Sequence, residues 1–189
     1  MIVIVSGLPR SGTSMMMSML EAGGMELLVD NERKADDDNP KGYFEWERVK
    51  KLPDGDTEWV AQAEGKVVKA VSYFLNHFPP GFEYYVIFME RNLDEILKSQ
   101  KVMMERRGEE FRKRENKTMS EFFKSHIKKT KDWLTMQANF YVLYVSYNEI
   151  LKNPSVFAKE INEFIEIDLN EEKMVQVVDN KLYRQKSKK

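Results

Sequence analysis

The chain has no cysteine. Disulfides, thiolate metal sites and cysteine nucleophiles are therefore excluded, and a reducing compartment is compatible with the composition. It also lacks a charge excess: 30 Lys and Arg against 31 Asp and Glu leave a formal net charge of -1. A dedicated nucleic-acid binder needs a strong basic surplus, so none is expected as partner. No apolar run reaches the roughly 18 residues of a membrane helix. No secretory leader is expected either: no basic region precedes the apolar run Met1–Val5, which ends at once in Ser6-Gly7. The expectation is a soluble, cytoplasmic protein that opens directly on its first core strand. Internal repeats and low-complexity segments are absent.

What is present is enough for one packed domain. The length is 189 residues, of which 42% are hydrophobic. A single domain over 1–189 is expected, with a basic tail at 180–189. Met1–Val5 reads as a buried parallel strand, β-branched and apolar. Gly7–Gly12 is a glycine-bearing loop, and Thr13–Ala22 a Met-rich helix stopped by Gly23-Gly24. Residues 25–42 read as a long polar surface loop. Tyr43–Leu52 reads as helical, ended by Pro53-Asp54-Gly55, with a second short helix over Thr57–Glu64.

Further strands are expected at Lys66–Val71, Tyr84–Met89 and Phe140–Val145. Helices are expected at Asn92–Arg107, Met119–Asn139, Pro154–Ile165 and Asn170–Val178, the third opening on a proline. The charged stretch 108–117 reads as a solvated connection. Alternation of strands and helices predicts an α/β fold: three layers, α/β/α, around a central parallel sheet of about four to five strands. In such sheets ligands sit beyond the carboxyl ends of the strands, where the glycine loop lies.

That loop carries the chemistry. Gly7-Leu8-Pro9-Arg10-Ser11-Gly12-Thr13-Ser14 has the GxxxxG spacing of a P-loop followed by two hydroxyl residues, with Thr13 where a lysine is usual. Two glycines let the backbone wrap a phosphate, and the N–H groups at the helix start then point inward. Arg10 supplies a cation three residues earlier than a Walker lysine. An Mg²⁺-dependent NTP enzyme also wants an Asp at the end of a second apolar strand. Here Tyr84–Met89 runs into Glu90-Arg91 and Phe140–Val145 into Ser146-Tyr147. Glu90 can replace that Asp, so a P-loop small-molecule kinase using ATP-Mg remains the alternative.

PRSGTS in this setting resembles the loop of the PAPS-dependent sulfotransferases, a family with a P-loop nucleoside-triphosphatase-like fold, and the chain looks like a short bacterial-type member. The resemblance implies that Pro9, Arg10, Ser11, Gly12, Thr13 and Ser14 hold the cofactor's 5′-phosphosulfate. YYVIFMERNLDEILKS resembles the family's second signature, a strand, an Arg-Asn pair and a helix serine eight residues after the arginine. It implies that Arg91 and Ser99 bind the 3′-phosphate. VLYVSYNEILKNP resembles the strand–Tyr–acid–helix segment that places Tyr147 near the adenine, and NPKGYFE, at 39–45, resembles a stretch of short bacterial-type members. The resemblance runs from the first residues to about Phe164. Without the loop, Arg91 reads as a strand-end partner of Glu90 or Asp94, Ser99 as a helix-face serine and Tyr147 as a core or rim aromatic.

The implied reaction moves a sulfuryl group from PAPS, leaving PAP, to a hydroxyl or amine of a small-molecule or carbohydrate acceptor, with no metal expected. A non-catalytic binder of PAP-like nucleotides is a further alternative. Arg10 would stabilise charge on the leaving phosphate. The acceptor needs a base. Cytosolic relatives use the histidine of a K-x-H stretch, but the similar stretch here is Lys69-Ala70-Val71, so Val71 stands in its place. Other branches use a glutamate, which makes Glu45 the first candidate, against a solvated acid at a helix start. His77 is the next candidate, against a turn histidine, and His126 reads as a surface residue. Lys69 is placed near the transferring group or, as a strand-end lysine, in solvent. Arg184 in the basic tail is a candidate for the 3′-phosphate, against a plain solvated tail.

Overall fold

The computed structural model describes all residues except 31, 34, 37–38, 40–41, 107, 109–112, 180–182 and 184–189, with backbone only for 113–117. Four parallel strands form one sheet: β1 (Ile2–Gly7), β2 (Val67–Lys69), β3 (Tyr84–Glu90) and β4 (Phe140–Ser146), in the order β2-β1-β3-β4. Every residue of β1 is buried. This follows from its central place, because a parallel strand covered on both faces has no side that can be polar.

Successive side chains of β1 feed two cores. Val3 and Val5 pack with Met16, Met17, Met19 and Leu20 of α1 (Thr13–Gly23), and with Ile161 and Ile165 of α5 (Pro154–Ile165) and Met174 of α6 (Glu171–Gln176). Ile2 and Ile4 face the other side, with Trp59, Leu75, Phe78 and Leu134. Between them the cores give the three layers, and the expected Met-rich helix face is core.

Chain order fixes where a ligand can bind. From β1 the chain crosses to β2 on one side, and then to β3 on the other. The crevice between the carboxyl ends of β1 and β3 is therefore the topological switch point. Gly7 and Met89 lie side by side there. The loop after β1 and Arg91 after β3 are brought to one place by topology alone.

Several expected elements shift. β2 is three residues, shorter than Lys66–Val71, and Leu27 adds a bridge beside it at Val67. Tyr43–Leu52 is not an α-helix: a 3-10 segment spans Glu47–Asp54, closed by Gly55 at φ 87°. Other 3-10 segments cover Glu58–Ala63 and Ser72–His77. Helix α2 spans Leu93–Arg106, and α3 spans Lys113–Leu134, starting inside the stretch expected to be a connection. A short α4 (Tyr147–Ile150) follows β4 directly, with Ser146 accepting from the Glu149 amide at its start. No helix among the described residues is long and apolar enough to cross a membrane.

Candidate functional site

The loop between β1 and α1 is held by two glycines that no other residue can replace. Gly7 has φ 138°, and a Cβ there would lie 2.5 Å from the Met89 carbonyl oxygen. Gly12 has φ 103°, and a Cβ there would lie 2.3 Å from the Tyr147 ring. Arg10 between them has φ 73°, a left-handed conformation that costs energy in a residue with a side chain and concentrates at functional sites. Among the described residues no side chain caps the start of α1, and no acid lies in its first turn. Its leading N–H groups are thus arranged for an anion. Ser11 is buried, and its hydroxyl has no hydrogen-bond partner among the described residues. Thr13 and Ser14 open the helix beside it.

One flank of the loop is a linked set of cations and rings. Arg10 Nε donates to Ser99 Oγ at 3.0 Å. Arg91 Nη1 donates to the Arg10 carbonyl at 3.1 Å. Arg91 Nε donates to Glu95 Oε2 at 3.1 Å, and the two side chains are only 8% and 0% exposed. The Arg91 guanidinium lies 4.5 Å over the Tyr147 ring, and Tyr147 in turn backs Gly12. Among the described residues the carboxylate paired with Arg91 is therefore Glu95, one helical turn on, rather than Glu90 or Asp94. Glu90 pairs with Lys131 of α3. Tyr183 and Asn148 also bond the Glu95 carboxylate, and the Tyr183 ring meets Tyr147 edge-on at 5.8 Å.

The other flank is built on Lys69 at the carboxyl end of β2. Its ammonium donates to the Tyr43 carbonyl at 2.7 Å and to Ser14 Oγ at 3.2 Å. It is buried, so the strand-end lysine reaching solvent does not hold. Burial pushes its pKa down to about 8; Glu45 opposes that shift, while Arg33, Arg10 and Lys50 add to it. Asn39 Nδ2 donates to Ser14 Oγ at 2.7 Å, seating the stretch around Tyr43 on the loop. Glu45 is ion-paired with Arg33 at 3.0 Å and with Lys50 at 3.2 Å. It is therefore not a solvated acid at a helix start, and the 3-10 segment begins only after it.

Arg10, Ser11, Gly12, Thr13, Ser14, Lys69, Arg91, Ser99 and Tyr147 thus come together at the switch point, with Pro9 in the loop and Glu45 on the Lys69 side. His77 is elsewhere: it lines a cavity against α3, to which none of these residues contributes. His126 lines the same cavity, half-buried, where a surface position was expected. Arg184 lies outside the described residues, as do Pro40 and Lys41 of the NPKGYFE stretch. Sequence reasoning missed Asn39, Glu95, Asn148 and Tyr183 as parts of the site. Glu95 alone carried a signal, an acid four residues after a strand-end arginine.

The arrangement fits an anion with more than one phosphate-like group. It offers a glycine cradle, a buried Ser11 hydroxyl and helix-start amides with no side-chain partner among the described residues, and cations on both flanks.

A family model described as "Sulfotransferase domain" matches residues 2–189. Among solved structures, the sulfotransferase domain from the curacin biosynthetic pathway is similar over 95% of this chain and 78% of its own, with TM-score 0.54 and 11% identity. A sugar kinase from Janibacter sp. is similar at TM-score 0.41 and 10% identity, over 94% of this chain and 98% of its own. No curated protein matches the chain.

Proposed function

The chain belongs to the sulfotransferase domain family, and from that premise we propose that it moves a sulfuryl group from PAPS to a hydroxyl or amine of a small-molecule or carbohydrate acceptor. The observation that carries this reading is the lock between loop and second signature. Arg10 bonds Ser99, and Arg91 bonds the Arg10 backbone. The two candidate 3′-phosphate residues therefore border the candidate 5′-phosphosulfate loop directly.

The loop amides, Ser11, Thr13 and Ser14 would hold the 5′ end, and Arg91 and Ser99 the 3′-phosphate, with Tyr147 beside the adenine. Bound there, PAPS supplies a sulfuryl group whose bond to a phosphate oxygen is exchanged for one to the acceptor oxygen or nitrogen. Such transfers depend on alignment and charge stabilisation more than on a covalent enzyme intermediate. Lys69 and Arg10 approach the loop from its two flanks, and together they stabilise charge on the leaving phosphate oxygen. Glu45, on the Lys69 flank, takes the acceptor proton. Its pairs with Arg33 and Lys50 hold the carboxylate in one place.

Thermal denaturation with PAP, PAPS, or ATP plus Mg²⁺ tests the donor. Stabilisation by PAP and PAPS, lost in Arg91→Ala, is expected. Stabilisation by ATP-Mg²⁺ but not PAP would overturn the reading in favour of a small-molecule kinase. Tight PAP binding without transfer to any acceptor would reduce it to a nucleotide binder.

A further inference from the structure

On the sheet face away from α1, the 3-10 segment Ser72–His77 packs against α3 and leaves a cavity of about 370 Å³. That is the size of small-molecule sites. No residue of the loop, of α1 or of α2 lines it.

Among the described residues, the Lys129 ammonium and the His77 imidazole line it, and no carboxylate does. Neighbouring lysines of α3 are neutralised, Lys128 by Asp132 and Lys131 by Glu90. Lys129 has no hydrogen-bond or ion-pair partner among the described residues, nor does His77.

The floor is polar and fixed. Ser72, only 2% exposed, has its Oγ 2.9 Å from His126 Nε2, and Thr130 Oγ1 lies 3.4 Å from the same nitrogen. The His126 imidazole lies stacked on Tyr73, with ring centres 4.1 Å apart. Trp133, held edge-on against Phe140, forms a further aromatic wall. Flat apolar rings with a few convergent polar groups are how small-molecule pockets are built.

We propose that this cavity is a second ligand site, separate from the switch-point loop, and that it takes a small flat molecule bearing a sulfate, sulfonate or carboxylate. Trp133 and the stacked Tyr73–His126 pair cover the ring of the ligand. Lys129 and His77 meet its anionic group. The site stands independently of the donor reading, because it shares no residue with it.

The test is titration of the full chain with naphthalene-2-sulfonate, followed by calorimetry and by tryptophan fluorescence. One-to-one binding that saturating PAP leaves unchanged is expected. Binding should weaken about tenfold in Lys129→Gln, as loss of one charge-assisted contact implies. Trp133→Leu should weaken it similarly, while 2-naphthol, without the anion, and inorganic sulfate, without the ring, should each bind at least about tenfold more weakly. Equal affinity for 2-naphthol would overturn the proposal. So would unchanged affinity in both Lys129→Gln and His77→Gln. Displacement by PAP would place the probe on the loop and overturn it as well. Lys129 is exposed, so its variant keeps the fold.

Discussion

Arg10 Nε donates to Ser99 Oγ across 3.0 Å, linking a loop after β1 to the middle of α2 over 89 residues of sequence. Ser99 is buried, so this is an internal strut, and the serine acts on the loop besides its proposed role toward the 3′-phosphate. The two roles separate by measurement. As a strut alone, Ser99→Ala removes one neutral acceptor, worth about 1 kcal/mol of stability. With the phosphate role added, PAP affinity by calorimetry should fall about tenfold as well. An unchanged affinity alongside a lowered melting temperature would leave Ser99 only its structural role.

Arg91 and Glu95 form a buried pair, at 8% and 0% side-chain exposure. Removing one partner leaves a charge in the interior, which typically costs about 3–5 kcal/mol. Arg91→Met should therefore lower the urea-unfolding free energy by about 3 kcal/mol. The double variant Arg91→Met/Glu95→Gln should regain most of that, because the orphaned carboxylate becomes an amide that Asn148 and Tyr183 can still bond. It should not regain PAP binding. Recovery of binding in the double variant would show that Arg91 serves the fold and not the nucleotide.

Two glycines with nearly the same backbone separate strain from crowding. Gly12 has φ 103° and Gly24 φ 108°, yet a Cβ at Gly24 would meet nothing within 4 Å while one at Gly12 would enter the Tyr147 ring. Gly24→Ala should lose only the left-handed penalty, about 1–2 kcal/mol. Gly12→Ala should lose more in melting temperature and should abolish PAP binding, since Tyr147 and the Arg91 stacked on it must move. Equal effects of the two substitutions would mean that the ring yields freely.

Much of this was legible in the sequence where burial and spacing speak plainly. Strands β1, β3 and β4 stand out as apolar runs, and the resemblance to the family's RN-x6-S signature pointed to Arg91 and Ser99, which the fold sets beside the loop. The rest was hidden for physical reasons. Tyr43 looked helical, but its carbonyl is taken by Lys69 and its hydroxyl by Asp36, and Phe44 after it is left-handed at φ 53°, which keeps the segment out of a helix until Glu47. Helix α3 begins at Lys113 because Lys, Arg and Glu are good helix formers, although their density suggested a solvated connection. Glu95 and Tyr183 meet across 88 residues, and Asn39 and Ser14 across 25. Contacts between ordinary polar residues at such separations leave no local pattern. His126 was read from its charged neighbours on α3, whereas its ring turns inward onto Tyr73.

Lys69 gives the pH dependence its sign. Its folded-state pKa is pushed from 10.5 down to about 8, chiefly by burial. Below that value the amine is protonated in both folded and unfolded chains, and folding carries the full penalty of burying the charge. As pH rises through the interval between the two values, the unfolded chain keeps the proton that the folded one releases. Stability attributable to this group therefore rises with pH over that interval. Lys69→Met removes the titration, so the stability gap between Met variant and wild type in urea should narrow from pH 7 to pH 10. Turnover should move the opposite way. If the ammonium stabilises the leaving phosphate oxygen, wild-type kcat for sulfuryl transfer should fall above the folded-state pKa, while the residual kcat of Lys69→Met should lack that limb. An identical alkaline limb in the variant would assign it to another group and leave Lys69 as a strut between Ser14 and Tyr43.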